Sequence, residues 1–194
     1  MREVALWWIG TGSGDPSLLA GARAHVESVF RMSTRLDEPA GRPDGAFDAI
    51  RGQHSSRRIL EWLAANRPAG VSRLIGVTDA DLFIPVLTFV FGEAQLRGPA
   101  AVVSTARLLG AGLPGEAARV PARLRTEVVH ELGHTFGLLH CTRPRCAMAR
   151  SASLRDVDAK RPDLCETCRG LFLENVDEIG EPHEQEKHAD PAGR

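Results

Sequence analysis

The chain has 194 residues, 43% apolar and 25% charged, which is the length of one domain and the balance of a chain that buries a core rather than one that stays disordered. A formal net charge of −1 and a pI of about 6.7 supply no general field for nucleic acid or an anionic membrane surface, so neither is expected as a partner. Of the 24 basic residues only Lys160 and Lys187 are lysines, a bias that reads as coding composition rather than as an arginine-rich binding surface, and tyrosine is absent.

In chain order, residues 3–9 are apolar and β-prone and end in a Gly-rich turn, the signature of a buried strand. Asp15-Pro16 then opens a helix, with Asp15 as cap and Pro16 in the first turn, and Leu18, Leu19, Ala22, Val26 and Phe30 recur at helical spacing. A short strand is predicted near 30–36, a loop over 37–45, and an amphipathic helix over 53–66 with Ile59, Leu60 and Leu63 inward. Strands follow at 72–78, 88–95 and 100–107, the last two close enough to pair as an antiparallel hairpin. Residues 109–115 form a Gly/Pro loop, and a helix over 121–136 buries Leu124, Val128 and Leu132. The stretch 141–168 is loop-rich and carries all four cysteines; residues 174–194 are acidic and poor in apolar side chains, an expected disordered tail. This order predicts an α/β fold with a mixed sheet.

The longest apolar stretch, 83–91, is broken by Pro85 and Thr88 and is far short of the ~20 residues that span a bilayer. The apolar patch at 4–9 is shorter than the core of a signal peptide. A cytoplasmic location is therefore expected, where thiols stay reduced and cysteines act as metal ligands more often than as disulfides.

The chemistry concentrates at His130-Glu131-Leu132-Gly133-His134-Thr135-Phe136-Gly137-Leu138-Leu139-His140. Histidines four apart on a helix project from one face and can ligate one tetrahedral zinc. Glu131, about 100° around the helix from His130, reaches a water rather than the ligand position. Gly137 can adopt positive φ, end the helix and swing His140 back as a third ligand, leaving a fourth position open, as catalytic zinc sites do. Cys141, Cys146, Cys165 and Cys168 form two short-spaced pairs that suit a closed, structural zinc site with four thiolate ligands.

The pattern H-E-x-x-H-x-x-G-x-x-H followed by Cys141, Cys146, Met148 and Cys165-Glu166-Thr167-Cys168 resembles the archaemetzincin (archaelysin) family of metzincin-clan zinc metallopeptidases. Residues 76–83, 89–94 and 104–108 look like that family's central strands, and the likeness covers about 1–173. In this chain 16 residues separate Met148 from Cys165 where the pattern often has 17, a departure that bears on loop length. The resemblance implies a single metzincin-like catalytic domain over 1–173, divided into an N-terminal subdomain (1–137) and a zinc-clamped C-terminal one (138–173). It implies two zinc ions per chain, one catalytic and one structural, with Met148 as the Met-turn floor. It also implies hydrolysis of a peptide or protein substrate, with Glu131 as general base and the 88–95 strand as the substrate-binding edge. The alternative is a weak or inactive zinc-stabilised peptide-binding module. The Gly10-Thr11-Gly12-Ser13-Gly14 turn resembles nucleotide or S-adenosylmethionine loops but has Asp15-Pro16 where a third glycine is needed, and reads as a plain turn. Oligomeric state is left open.

Overall fold

The computed structural model describes residues 3–11, 14–110 and 114–178. Strand β1 (Glu3–Trp8) leads into helix α1 (Pro16–Phe30), whose first free N–H groups are met by the Asp15 carboxylate, an acceptor for Ser17 N and Leu18 N. After β2 (Thr34–Asp37) the chain forms a short hairpin of β3 (Phe47–Asp48) and β4 (Gln53–Ser55), then α2 (Ser56–Asn66), β5 (Val71–Thr78), β6 (Leu82–Phe83), β7 (Gly92–Ala94) and β8 (Ala100–Ser104). Helices α3 (Val120–Thr135), α4 (Leu154–Ala159) and α5 (Glu166–Glu178) complete the described chain.

The main sheet has the order β2-β1-β5-β8-β7, parallel except for β7, which pairs antiparallel with β8 at the edge. The central strands are buried on both faces. Val4 and Leu6 of β1, Ile75 and Val77 of β5, and Ala101 and Val103 of β8 pack with α1 and α3 in one core. The alternate residues Ala5, Trp7, Leu74, Ala100 and Val102 pack with α2 in a second. This is the near-continuous apolar run of a parallel strand with a helix layer on each side. The fold is α/β with a mixed, twisted sheet, as the element order implies.

Four local expectations change. Gln53–Ser55 is strand rather than the start of α2: it pairs with β6, and Ser55 Oγ accepts from Arg58 N as the helix cap. The 88–95 strand shrinks to Gly92–Ala94, because Val90 bridges back to Leu82 of the small β3-β4-β6 sheet. The cysteine-bearing stretch holds a real helix, α4, closed by a capping box between Ser153 and Asp156. Residues 174–178, expected in the tail, continue α5, and Asn175 Nδ2 donates to Phe136 O at 2.8 Å; residues 179–194, with His183, His188 and Lys187, lie outside the described residues. Among the described residues no helix is long and apolar enough to cross a membrane.

The C-terminal part is joined to the sheet layer by three rings. Phe172 of α5 packs edge-on against Phe30 (5.0 Å) and Phe136 (5.1 Å), and all three are almost fully buried. Removing a buried phenylalanine costs about 3–5 kcal/mol. Phe172→Ala is therefore expected to lower the unfolding free energy, read by urea titration, by an amount in that range, while Leu173→Ala, an exposed neighbour, leaves it near the parent value.

Candidate metal centres and active-site cleft

Helix α3 carries His130 and His134 one turn apart. It ends where Gly137 takes φ +86°, with Gly137 N donating to His134 O (2.9 Å) and Leu138 N to Gly133 O (3.0 Å), the bond pair of a Schellman closure. That reversal brings His140 back to the helix: the nearest ring nitrogens of His130, His134 and His140 all lie within 4.8 Å of one another. The hairpin tip between β7 and β8 supports the same helix end, as Arg97, itself at φ +58°, donates its N–H to His134 O at 3.0 Å.

The protonation of the two helical histidines follows from their partners. His130 Nδ1 lies 2.8 Å from Ala147 O and His134 Nδ1 lies 2.7 Å from Leu138 O. A carbonyl oxygen only accepts, so both Nδ1 atoms carry the proton and both Nε2 atoms present lone pairs. Those two Nε2 atoms sit 3.2 Å apart. With no proton between them the contact is not a hydrogen bond; it is two facing donors that suit a shared cation. Zinc–nitrogen bonds of about 2.0–2.1 Å in tetrahedral geometry place ligand nitrogens roughly 3.4 Å apart, close to the observed value. All three rings are held below the usual histidine range. Burial is the main cause in each, and the charge of Lys160 adds to it in all three. Neutral imidazole is the form that ligates.

Glu131 lines the same cleft as the three histidines. Burial, followed by the neighbouring Glu127 charge, raises its carboxyl above the usual range, opposed by Lys160. Its room is made by Gly92 on the edge strand: a β-carbon there would lie 2.7 Å from both Glu131 Cγ and Val102 O. Gly133 serves the other side of the helix, since a β-carbon there would collide with the sulfur of Met148, a fully buried residue beneath α3.

The cysteines form the second group: the sulfurs of Cys141, Cys146, Cys165 and Cys168 also lie within 4.8 Å of one another. Cys141 Sγ and Cys165 Sγ are 3.8 Å apart, nearly twice a disulfide bond and about the spacing of two thiolates on one tetrahedral zinc. Backbone N–H groups of Arg143 and Cys165 donate to Cys141 Sγ (3.4 Å) and Cys146 Sγ (3.3 Å). Burial raises Cys146 and Cys168, whereas at Cys165 it is outweighed by hydrogen bonds, first from Cys168, and that thiol falls to about 7. Four soft donors at these spacings fit zinc.

The histidine group opens into a cleft of about 890 Å³, walled on one side by β7 and residues 87–91 and on the other by α3, Leu139, His140 and Arg150. Residues 43–173 match the family model for peptidase family M54, two thirds of the chain. The chain belongs to that family, the archaemetzincins. It is 38% identical to an archaemetzincin of Haloquadratum walsbyi over 156 residues, 78% of this chain and 89% of that one. Its fold matches the crystal structure of an archaemetzincin from Methanopyrus kandleri with a TM-score of 0.79 at 34% identity, covering 91% of this chain and 96% of that one. It matches a zinc-dependent peptidase from Methanocorpusculum labreanum with a TM-score of 0.76 at 25% identity, covering 88% and 99%. The archaemetzincin family makes this protein a zinc metallopeptidase.

For this archaemetzincin the structure also adds residues that the motif treats as free. Gly92, Gly133 and Glu127 sit against Glu131, Met148 and Lys160 respectively. Glu127 was legible in principle, four residues before Glu131 and so on the same helix face; the two glycines were not, because their role is an absent atom facing a distant segment. The Gly-rich turn after β1 belongs elsewhere: Thr11 N donates to the Asp79 carboxylate at 2.8 Å, and Asp15 fills the α1 N-terminus, where a phosphate would otherwise sit. Residues 12 and 13 of that turn lie outside the described residues. His25 bonds Pro162 O at 2.7 Å, and His54 packs against Phe47.

Gly92→Ala is expected to displace Glu131 without touching either ligand group. Peptide hydrolysis should fall at least tenfold while zinc content, read by native mass spectrometry, stays at the parent value.

Proposed function

We propose that His130, His134 and His140 hold the catalytic zinc of a peptide-bond hydrolase, that Glu131 is its proton carrier, and that Cys141, Cys146, Cys165 and Cys168 hold a second, structural zinc. The observation that carries this reading is the pair of Nε2 lone pairs 3.2 Å apart, each fixed by a backbone carbonyl on the far nitrogen. Zinc bound there would supply Lewis acidity and bring a water's pKa to about 7. The protein supplies the rest. An extended peptide adds to the free edge of β7, whose other edge is taken by β8. The apolar side chains of Leu87, Phe89 and Leu139 in the cleft wall limit water around the scissile bond.

Glu131 accepts the proton of the attacking water on its carboxylate and returns it to the leaving amine. Among the described residues no side chain hydrogen-bonds that carboxylate, so both oxygens are available for this exchange. No tyrosine exists in the chain to assist. Met148, packed against Gly133, is the floor of the metal site and acts by packing.

Two zinc ions per chain are expected by native mass spectrometry. Glu131→Gln should keep both and lower the rate on a mixed peptide digest about 10²–10⁴-fold, the usual worth of a general base. A parent protein that holds both ions and cleaves nothing would instead identify a peptide-binding module.

Cys165→Ser separates the second site. It should release one zinc and lower stability by several kcal/mol (order of magnitude), because the binding energy of a structural zinc is folding energy. Retention of both ions and of the parent melting temperature would refute the assignment.

A further inference from the structure

Lys160 is the only lysine among the described residues, in a chain that uses arginine at 22 of its 24 basic positions. It lies just past α4 and is buried, and its side chain and that of Glu127 are almost wholly removed from solvent. Its Nζ donates to Glu127 Oε1 (2.9 Å), Ala147 O (3.2 Å) and Ala149 O (3.2 Å), so all three ammonium protons have an acceptor. The two carbonyls flank Met148. Ala147 O is also the acceptor for His130 Nδ1, and these two bonds occupy both of its lone pairs.

The same protein shows what it does when acceptors are spread out. Buried Arg123 donates from Nε to Asp158 Oδ1 (2.7 Å), from one terminal nitrogen to Leu108 O (2.8 Å) and from the other to Asp158 Oδ2 (2.7 Å). The second terminal nitrogen also lies 2.7 Å from Glu116 Oε2, so the planar guanidinium spreads four acceptors around its rim; with at most two protons on any nitrogen, it cannot bring three onto one. At position 160 three oxygens converge on a single point, and a compact ammonium stands there.

A buried ion pair is by itself a poor source of stability, since apolar residues of similar volume often do as well or better. The geometry of this pair suits another role. We propose that Lys160 is a positioning residue for the histidine metal site: its ammonium pins the Ala147 and Ala149 carbonyls, and through Ala147 O it fixes the ring of His130 with Nε2 turned to the metal position. Glu127 balances the charge and is held in turn by Ser151 Oγ at 3.3 Å. The proposal rests on the reading of His130 as a zinc ligand.

The test replaces the pair with apolar side chains, Glu127→Met with Lys160→Met, so that no buried charge is left alone. A second variant, Lys160→Arg, keeps the charge and loses the convergence. Both are prepared as zinc-loaded protein. Chelator competition reads zinc affinity at each site, NMR reads solvent exchange of the His130 Nδ1 proton, and peptide hydrolysis reads kcat and KM. Both variants are expected to melt cooperatively and keep the cysteine-bound zinc. They should lose histidine-site affinity about 10–100-fold, as loss of a ligand's supporting partner does. Exchange of the His130 proton should accelerate, and kcat should fall with KM little changed.

Parent-like affinity and proton exchange in either folded variant would overturn the proposal. So would loss of cooperative melting and of the cysteine-bound zinc in both, which would make the pair a purely structural one. A parent that loads zinc at the cysteines alone fails the functional reading itself, and takes the proposal with it.

Discussion

Two backbone carbonyls decide which nitrogen each helical histidine offers. Leu138 O and Ala147 O accept from Nδ1 of His134 and His130, and that leaves Nε2 as the only lone pair on each ring. An imidazole free to rotate or change tautomer would turn a proton toward its neighbour for part of the time. A helix-ending glycine and a tight 146–149 turn prevent this: one carbonyl comes from the reversal after α3, the other from the loop that passes beneath it. Helix, reversal and loop must therefore be in register with one another to within a hydrogen bond's tolerance.

Packing supplies that register. Helix α3 lies on the sheet face that buries Ile75, Val77, Ala101 and Val103, which sets its height above β8 and β7. Two missing β-carbons then let it settle between its neighbours: Gly92 of β7 makes room for Glu131 of α3, and Gly133 of α3 makes room for Met148 of the loop beneath. Both are close approaches between separate segments of the chain, and both accept the conformational cost of glycine in return for space at the contact. The edge position of β7 serves the same cleft. Only three residues long and antiparallel to β8, it leaves one row of backbone donors and acceptors facing outward from the sheet.

Between Cys141 and Ser153 the chain has one bulky apolar side chain, Met148, yet it must hold the Ala147 carbonyl in place. Three devices share the load. The cysteine sulfurs gather around one point, the Phe30–Phe136–Phe172 group ties α5 to α1 and to the end of α3, and Lys160 fastens the 147–149 turn to α3 through Glu127. Cys141 directly follows His140, so ordering one group orders a member of the other.

Much of this was legible in the sequence because it is local. The i,i+4 histidines, the glycine that ends their helix, the Asp15-Pro16 helix start and the paired cysteines each depend on residues within a turn or two, and hydrophobic periodicity alone places α1, β5 and α3. The motif also points to the family that residues 43–173 match. What the sequence could not convey is set by contacts across long separations. The Gln53–Ser55 strand forms because Leu82 and Phe83 arrive beside it; the 88–95 strand is cut short by the same small sheet. Helix α5 continues to Glu178 because Phe172 and Asn175 find Phe136, a partner 36 to 39 residues away. Lys160 looked like a stray from the arginine bias until three oxygens from α3 and the 147–149 turn converged on it. The sequence by itself determined which donors exist and how they are spaced along a helix. Only the tertiary structure decided which nitrogen of each of the two helical histidines faces the cleft, because that choice is made by carbonyl oxygens whose position depends on the packing of the whole chain.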